Sequence, residues 1–350
     1  MPFTSRLMRR WHRFAGVCAC LTALSAASAA MACGGEDLLA LMPAGERAAL
    51  ERKAEAVING QGRLWLVEAP SGAKGHLFGT YHDTEAGEYL SPEIDTAFDG
   101  SERLIVELSG DELAAMEARL ATDPSFTFAD DGNGLAARLA AGLDADERRV
   151  AEEVLEARGL SLALATRLRP WILFSLLGTP ACQLSAMGTG APVLDRRLID
   201  RADERSVPVI GLESYEAALG AFGALGEDDA MTLARDMLAL APREEDVRRT
   251  LLGLYAEGRT GMIRALSEHL AERHATRDRE ATVASGEAFV KAILSTRNQA
   301  WMTHLVPAMN EPGSFVAVGA LHLPGEDGLV ALLRADGFTV TPVAETPLPR

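Results

Sequence analysis

The sequence predicts an α/β (α+β) protein with a central mixed sheet, which is built from the N- and C-terminal segments and carries a large helical insertion. Three observations lead to this prediction: apolar strand-like runs lie near both ends, the middle has helical periodicity, and one helical stretch runs directly into a strand. With 48% hydrophobic and 24% charged residues, the composition is globular and excludes a disordered chain.

The N-terminal part of the fold is predicted to pair two strands and to add a third. Residues 37–58 favour a helix, and residues 63–68 and 75–79 favour two strands joined by a turn. Ser91-Pro92 is a typical helix start, since proline is tolerated in the first turn. Residues 103–107 then form a short apolar strand that ends in a glutamate.

The middle of the chain is predicted to be helical, at about 111–190 and again at 214–307. Between these stretches, residues 193–205 are amphipathic and lead into a strand at 207–213, a unit that is typical of partly parallel sheets. The C-terminal part predicts, in order, a strand at 314–318, a helix at 326–336 and a strand at 338–343.

The first 32 residues are typical of a signal peptide, and residues 33–350 are predicted to form a single domain. A basic start with four arginines is followed by an apolar run of secretory length and by small residues that suit cleavage. The sequence therefore predicts export, with a periplasmic location; an uncleaved membrane anchor is the alternative. Removing the leader changes the formal charge from −16 to −20, because 30 Lys+Arg then face 50 Asp+Glu. So acidic a chain argues against nucleic-acid binding.

Two cysteines remain after the leader, because Cys18 and Cys20 lie within it. In an exported chain, the pair Cys33 and Cys182 predicts one disulfide, and two free thiols are the alternative. Cys33 also follows a small residue, as a lipid-acceptor cysteine does, although Ala30 stands where such a signal usually has leucine. Contact with a membrane is therefore expected only through the leader or through lipidation at Cys33.

Two segments run an apolar strand into the same Gly-x-x-His spacing. Gly79 precedes His82, and Gly319 precedes His322. Glycine permits a close backbone approach at a strand end, and the histidine then lies just beyond the carboxyl edge, where open α/β sheets bind ligands. For each histidine taken alone, a purely structural role is the alternative.

Carboxylates follow two further predicted strands, at Glu107 and Glu213. Together with His82 and His322 they form a usual ligand set for a divalent metal ion, of which Mn, Co and Zn are the candidates. A carboxylate that does not bind the metal can act as a general base. Arg297 could neutralise a carboxylate or an oxyanion. The alternatives are a salt-bridging role for the glutamates and a helix-surface position for the arginine.

Over roughly residues 35–345, these segments together resemble the TraB/GumN family. The matching segments are Gly79-Thr-x-His82, Val106-Glu107, Leu194-Asp195, Val209 to Glu213, Arg297-Asn298, and Val318-Gly-Ala-x-His322-Leu-Pro-Gly325-Glu-Asp-Gly328. The family is similar to the Tiki Wnt-inactivating proteins, regarded as divalent-metal-dependent proteases with two Gly-x-x-His motifs and a catalytic glutamate. Its fold is related to those of the erythromycin esterases and the ChaN haem-binding proteins.

The resemblance implies a site in which His82, His322 and Glu107 bind the metal and Glu107 is catalytic, with Glu213 and Arg297 in support. The leading hypothesis is therefore an exported metal-dependent hydrolase, in its leading form a peptidase that acts on a peptide or protein. The alternative is a non-catalytic protein that binds or sequesters haem, a peptide or a glycan. Tyr81, next to His82, is a candidate haem-iron ligand in that case. The sequence does not indicate an oligomeric state.

Overall fold

The computed structural model describes residues 32–129, 134–276 and 278–347. Residues 1–31 of the predicted leader lie outside this range, so export stays a prediction. Within the described residues, no helix is both long and apolar enough to cross a membrane.

The described residues form a six-stranded mixed sheet whose strands come from both ends of the chain, as predicted. The strand order is β4-β3-β5-β2-β1-β6. The strands are β1 Leu64–Glu68, β2 Lys74–Thr80, β3 Arg103–Val106, β4 Val209–Gly211, β5 Ser314–Gly319 and β6 Thr339–Pro342.

Parallel and antiparallel pairing divide the sheet into two halves. β1 pairs antiparallel with both β2 and β6, so the predicted N-terminal strand pair is a hairpin. β4, β3, β5 and β2 are neighbours that all run in the same direction. The carboxyl ends of these four strands therefore lie along one edge of the sheet.

Helices fill the middle of the chain and flank the sheet, as predicted for 111–190 and 214–307. The helices are α1 Leu38–Leu41, α2 Ala44–Glu55, α3 Pro92–Asp99, α4 Gly110–Thr122, α5 Pro124–Thr127, α6 Leu135–Ala141, α7 Ala145–Glu156, α8 Leu162–Ala165, α9 Pro170–Gly178, α10 Ala181–Gly188, α11 Leu194–Glu204, α12 Tyr215–Gly223, α13 Glu227–Leu240, α14 Glu244–Ala256, α15 Thr260–Arg273, α16 Arg279–Val290, α17 Thr296–Met309 and α18 Leu329–Ala335. Short 3₁₀ turns lie at Ala86–Tyr89, Ala241–Arg243 and Ala320–His322, and a π-helical turn at Lys291–Ser295 joins α16 to α17.

Two predicted helices begin or divide differently in the structure. The single helix predicted for 37–58 is divided into α1 and α2 at Pro43, because the residue before a proline is driven out of the helical region. The helix predicted for 326–336 begins only at Leu329, after a turn in which Gly325 has a φ of +97°.

Helices cover both faces of the sheet. The side chains that its central strands direct to either face are therefore apolar. On β5, Phe315 and Ala317 belong to the core shared with α3, α11, α14 and α15, whereas Val316 and Val318 pack with α17 and α18. All four side chains are buried, as expected for central parallel strands. A separate core joins α6, α7, α9 and α13 within the helical middle.

A disulfide joins Cys33 to Cys182, which confirms the predicted pairing. Their Cα atoms are 5.2 Å apart, and 149 positions separate them in the sequence. The Cys33 sulfur is therefore engaged in a bridge that ties the segment before α1 to α10.

Candidate active site

Side chains from four neighbouring strand ends meet at the carboxyl edge of the parallel half-sheet. His82 follows β2, His322 follows β5, Glu107 follows β3 and Glu213 follows β4. β2 and β5 are direct neighbours, and Gly79 lies opposite Val318 in their register. Both Gly-x-x-His histidines therefore lie just beyond the carboxyl ends of neighbouring parallel strands.

Both motif glycines stand where a side chain would collide or crowd the site. A Cβ added at Gly79 would lie 2.8 Å from the Cα of Ala320. A Cβ added at Gly319 would lie 3.3 Å from Glu107 Oε1, 3.5 Å from His322 Cδ2 and 3.6 Å from His82 Nε2. Glu107 and both histidines therefore surround one point at the end of β5.

His82 is the solvent-facing member of the site, with 62% of its side chain exposed. Its Nδ1–H donates to Asp195 Oδ2 at 2.7 Å, and the Thr80 hydroxyl donates to the other Asp195 oxygen at 2.6 Å. The charge of the Asp195 carboxylate raises the pKa of His82 to about 9. Because Nδ1 is engaged by a carboxylate, Nε2 is the nitrogen that faces the site.

His322 is the buried member, with 4% of its side chain exposed. The Asn298 amide nitrogen donates to the backbone oxygens of His322 and Asp327, so the amide oxygen is the atom that accepts from His322 Nδ1–H at 2.6 Å. The imidazole also packs on the Trp301 ring, at 4.5 Å between centroids. Burial lowers the pKa of His322 to about 4, so at neutral pH its Nε2 is unprotonated and accepts from Arg297 Nη1 at 3.4 Å.

Glu107 lies between the two histidines and is held at both carboxylate oxygens. Oε1 accepts from the Gly319 N–H at 2.7 Å and lies 3.7 Å from His322 Nε2, and Oε2 accepts from Arg297 Nη2 at 2.7 Å. Burial alone would raise the pKa of this carboxyl group, but positive charge at His322, His82 and Arg297, together with the N–H bond, lowers it to about 2. Glu107 is therefore ionised at neutral pH.

Arg297 is a largely buried bridge between two carboxylates, and not a helix-surface cation. Its Nη2 binds both Glu107 and Glu213, and its Nε donates to Glu213 at 2.9 Å. Nη1 donates at 3.0 Å to the carbonyl of Ile293, within the π-helical turn before α17. The guanidinium also lies over the Trp301 ring, 4.7 Å from its centroid. These contacts aim the guanidinium at Glu107.

Glu213 contributes to the site through Arg297. Only 9% of its side chain is exposed, and its carboxylate forms the ion pair just described. Its backbone N–H donates to the Glu107 carbonyl at 3.2 Å, which connects the ends of β4 and β3. This geometry corresponds to the salt-bridging alternative for Glu213.

A family model for the TraB/PrgY/gumN family matches residues 63–342, which is more than half of the chain. The chain belongs to the TraB/PrgY/gumN family. No curated protein matches it. The matched range of this TraB/PrgY/gumN protein includes all six strands and every side chain of the site.

The sequence predicts no role for Asp195 or Asn298, although both lie in segments that carry the family resemblance. Asp195 looks like an ordinary first-turn acid of α11, and Asn298 follows the more conspicuous Arg297. No local spacing connects either residue to a histidine. The signal that points to Asp195 and Asn298 is chemical: a histidine that binds a ligand through one ring nitrogen usually donates its other N–H to an oxygen acceptor.

The packing of Tyr81 does not favour the role of haem-iron ligand that was suggested for it. Its ring contacts the hydrophobic core and stacks on Tyr255, with centroids 5.5 Å apart. Burial, reinforced by the nearby carboxylate of Asp83, raises the pKa of the phenol well above its usual range. A neutral, packed phenol offers no support for ligation of haem iron.

The donor atoms of this TraB/PrgY/gumN site suit a divalent cation in kind. Both histidines have Nδ1 tied to an oxygen acceptor, so the candidate ligands are the Glu107 carboxylate, Nε2 of His322, and Nε2 of His82 after loss of the proton that its pKa of about 9 keeps there at neutral pH. Within the described residues, however, no three His, Cys, Asp or Glu side chains are grouped closely enough to hold a metal ion. The cation therefore stays a proposal that rests on donor chemistry.

Proposed function

We propose that this chain is a divalent-metal-dependent hydrolase that cleaves peptide bonds at the His82, Glu107 and His322 site. The observation that carries this proposal is the convergence of both histidines and an ionised glutamate around Gly319. The two histidines differ strongly in environment, one exposed and one buried. Opposite pKa shifts of neighbouring groups are typical of sites that move protons.

The residues that would hold the cation are His82, His322 and Glu107. When bound, the cation would supply Lewis-acid polarisation of a carbonyl group and activation of a water molecule. Asp195 keeps the His82 ring oriented and raises its basicity. Asn298 keeps the Nε2 lone pair of His322 directed into the site.

Arg297 is the candidate for stabilising negative charge that develops on the substrate. Its guanidinium is held from the opposite side by Glu213 and by the Ile293 carbonyl, so little reorganisation is needed when a charge forms nearby. Mn, Co and Zn are the metal candidates, because the donor set combines two nitrogens with one carboxylate.

The helical middle is the proposed substrate-selecting cap. The chain leaves the sheet into α4 directly after Glu107 and into α12 directly after Glu213, and it returns through the helix that carries Arg297. The helical middle therefore begins at the edge that carries the site, and the start of α17 brings Arg297 back to that edge. Loops and insertions at this edge select ligands in many α/β folds.

We also infer that the protein works outside the cytoplasm, in the periplasm. The Cys33–Cys182 disulfide supports this, because such bridges form and persist in oxidising compartments.

The test combines metal titration with hydrolysis of a peptide library in the presence of Mn²⁺, Co²⁺ or Zn²⁺. His82→Ala and His322→Ala are expected to abolish both stoichiometric metal uptake and cleavage. His304→Ala is the matched control, since His304 is an exposed histidine on α17 outside the site. Metal uptake without any cleavage would remove the peptidase proposal, and no uptake of any of the three ions would remove metal dependence. If haem titration gives a Soret band and no peptide is cleaved, the non-catalytic haem-binding alternative would replace the peptidase proposal.

A further inference from the structure

The loop that carries His82 is anchored outside the sheet by a buried glutamine. Gln183 Oε1 accepts from the Thr84 backbone N–H at 2.9 Å and from the Thr84 hydroxyl at 3.1 Å. Both side chains are buried, with Gln183 only 2% exposed. Thr84 is two residues beyond His82, so this contact lies close to the histidine without touching it.

Gln183 is itself fixed by the disulfide. It directly follows Cys182, and its Nε2 donates to the Cys33 sulfur at 3.2 Å. A side-chain amide suits this place because its oxygen can accept two hydrogen bonds while its nitrogen donates a third. The bridge therefore holds both the backbone and the amide end of Gln183.

We propose that Gln183 is a positioning residue for His82, acting through Thr84 and anchored by the Cys33–Cys182 bridge. This inference deepens the proposed function and rests on it for its catalytic consequence. The loop is short and tightly turned, with the Asp83 N–H donating to the Tyr81 carbonyl at 2.7 Å. A shift of Thr84 is therefore passed to His82 within one turn.

A second anchor acts on the same loop from another helix. Arg248 on α14 donates to both carboxylate oxygens of Asp83, at 2.6 and 2.9 Å, and both side chains are buried. Arg197 on α11 also donates to the Thr84 carbonyl, at 2.7 Å, so three helices hold Asp83 and Thr84. Loss of Gln183 is expected to displace the loop and not to unfold it, because the Arg248 anchor remains.

The test replaces the amide with an apolar side chain of similar size, Gln183→Leu, in the mature protein. Thr282→Val is the matched control, because it removes a buried hydrogen bond to Asp236 in the helical middle. The first readout is the downfield proton resonance of the His82 Nδ1–H, identified by its absence in His82→Ala. The second is amide hydrogen exchange of residues 81–86. The third is peptide cleavage with Mn²⁺.

In Gln183→Leu we expect a shifted or lost His82 resonance, faster exchange in the loop, and a fall in kcat of about tenfold with little change in KM. Thr282→Val should leave all three unchanged. Thr84→Val, which keeps the backbone bond to Gln183, should give a smaller change in the same direction and serves if Gln183→Leu does not fold.

The outcomes separate this inference from the proposed function. An unaltered His82 resonance and unaltered exchange in Gln183→Leu would overturn the positioning role, whatever the activity. An altered resonance with unchanged kcat in an active protein would also overturn it. If the wild-type protein cleaves nothing, the proposed function fails, while the resonance and the exchange still decide whether Gln183 positions His82.

Discussion

Replacing Arg297 with methionine should destabilise the fold strongly, because it removes the charge that two largely buried carboxylates share. Methionine keeps an unbranched side chain that can still pack on Trp301. The exposed fractions are 13% for Arg297, 15% for Glu107 and 9% for Glu213, so solvent screens the ion pairs little. Removing one partner of a buried pair typically costs about 3–5 kcal/mol of unfolding free energy, and we expect Arg297→Met to fall in that range.

The loss should depend on pH in a defined direction. In the wild-type protein, the pKa of Glu107 is lowered to about 2, so the stability that its ionised form contributes is present above the ordinary value of about 4.3 and is lost as the pH falls towards 2. Without Arg297 this pKa rises, and protonation then relieves the unpaired carboxylate. The deficit of the variant should therefore be largest at neutral pH and should shrink below about pH 4.

Urea unfolding of both proteins at pH 7 and at pH 3 measures this deficit. Arg249→Met is the control, since Arg249 is an exposed arginine on α14, and it should change the unfolding free energy by less than about 0.5 kcal/mol. A deficit for Arg297→Met below about 1 kcal/mol would refute the assignment of a buried charge network, because that is the range of exposed pairs. A deficit of equal size at both pH values would refute the role given to Glu107.

Three further predictions concern the neighbouring structure. Asp195→Asn should lower the pKa of His82 from about 9 towards its ordinary value, which an NMR titration measures. In the wild-type protein, the stabilisation that comes from the raised pKa is lost as the pH rises through about 9, and the variant should show no such loss. An unmoved pKa would exclude the pairing of His82 with Asp195. Replacing Cys33 and Cys182 together with alanine should lower the unfolding free energy by about 5 kcal/mol in the chain-entropy model, measured by denaturant titration; a change below about 1 kcal/mol would contradict it. Gly79→Ala should cost about 1–3 kcal/mol by the same measurement, because its Cβ would lie 2.8 Å from the Cα of Ala320 in the turn after β5, and an unchanged stability would show that this turn can shift.

The edge of the sheet that carries the site could be predicted because its signals are local. Apolar runs mark β2, β3 and β5, and the Gly-x-x-His spacing places a histidine just past two of them. The sequence could not reveal that these two strands are neighbours, since that depends on which of several parallel pairings buries the most apolar surface. The pairing of β2 with β5 is what turns two separate histidines into one site.

The partners of the histidines could not be predicted for a related reason. Asp195 is 113 positions from His82 and Asn298 is 24 from His322, and each stands on a helix where its residue type is unremarkable. The sequence indicates Arg297 as a candidate, but whether its guanidinium contacts a carboxylate or solvent depends on the packing of α17. Composition and spacing identify the groups that do chemistry more readily than those that hold them in place.

The position of β5 in the sheet has a consequence for how the protein is made. β5 lies between β3 and β2, yet it is the fifth strand to be synthesised and follows the whole helical middle. Contacts within the helical middle are local and can form early, whereas the sheet must wait for pairing across a very long loop. A nascent chain that ends before Ser314 therefore lacks the strand that joins the two parts of the sheet. Deletions from the C-terminus that reach this strand should behave as complete losses of function and leave partly folded helical products that are prone to aggregate.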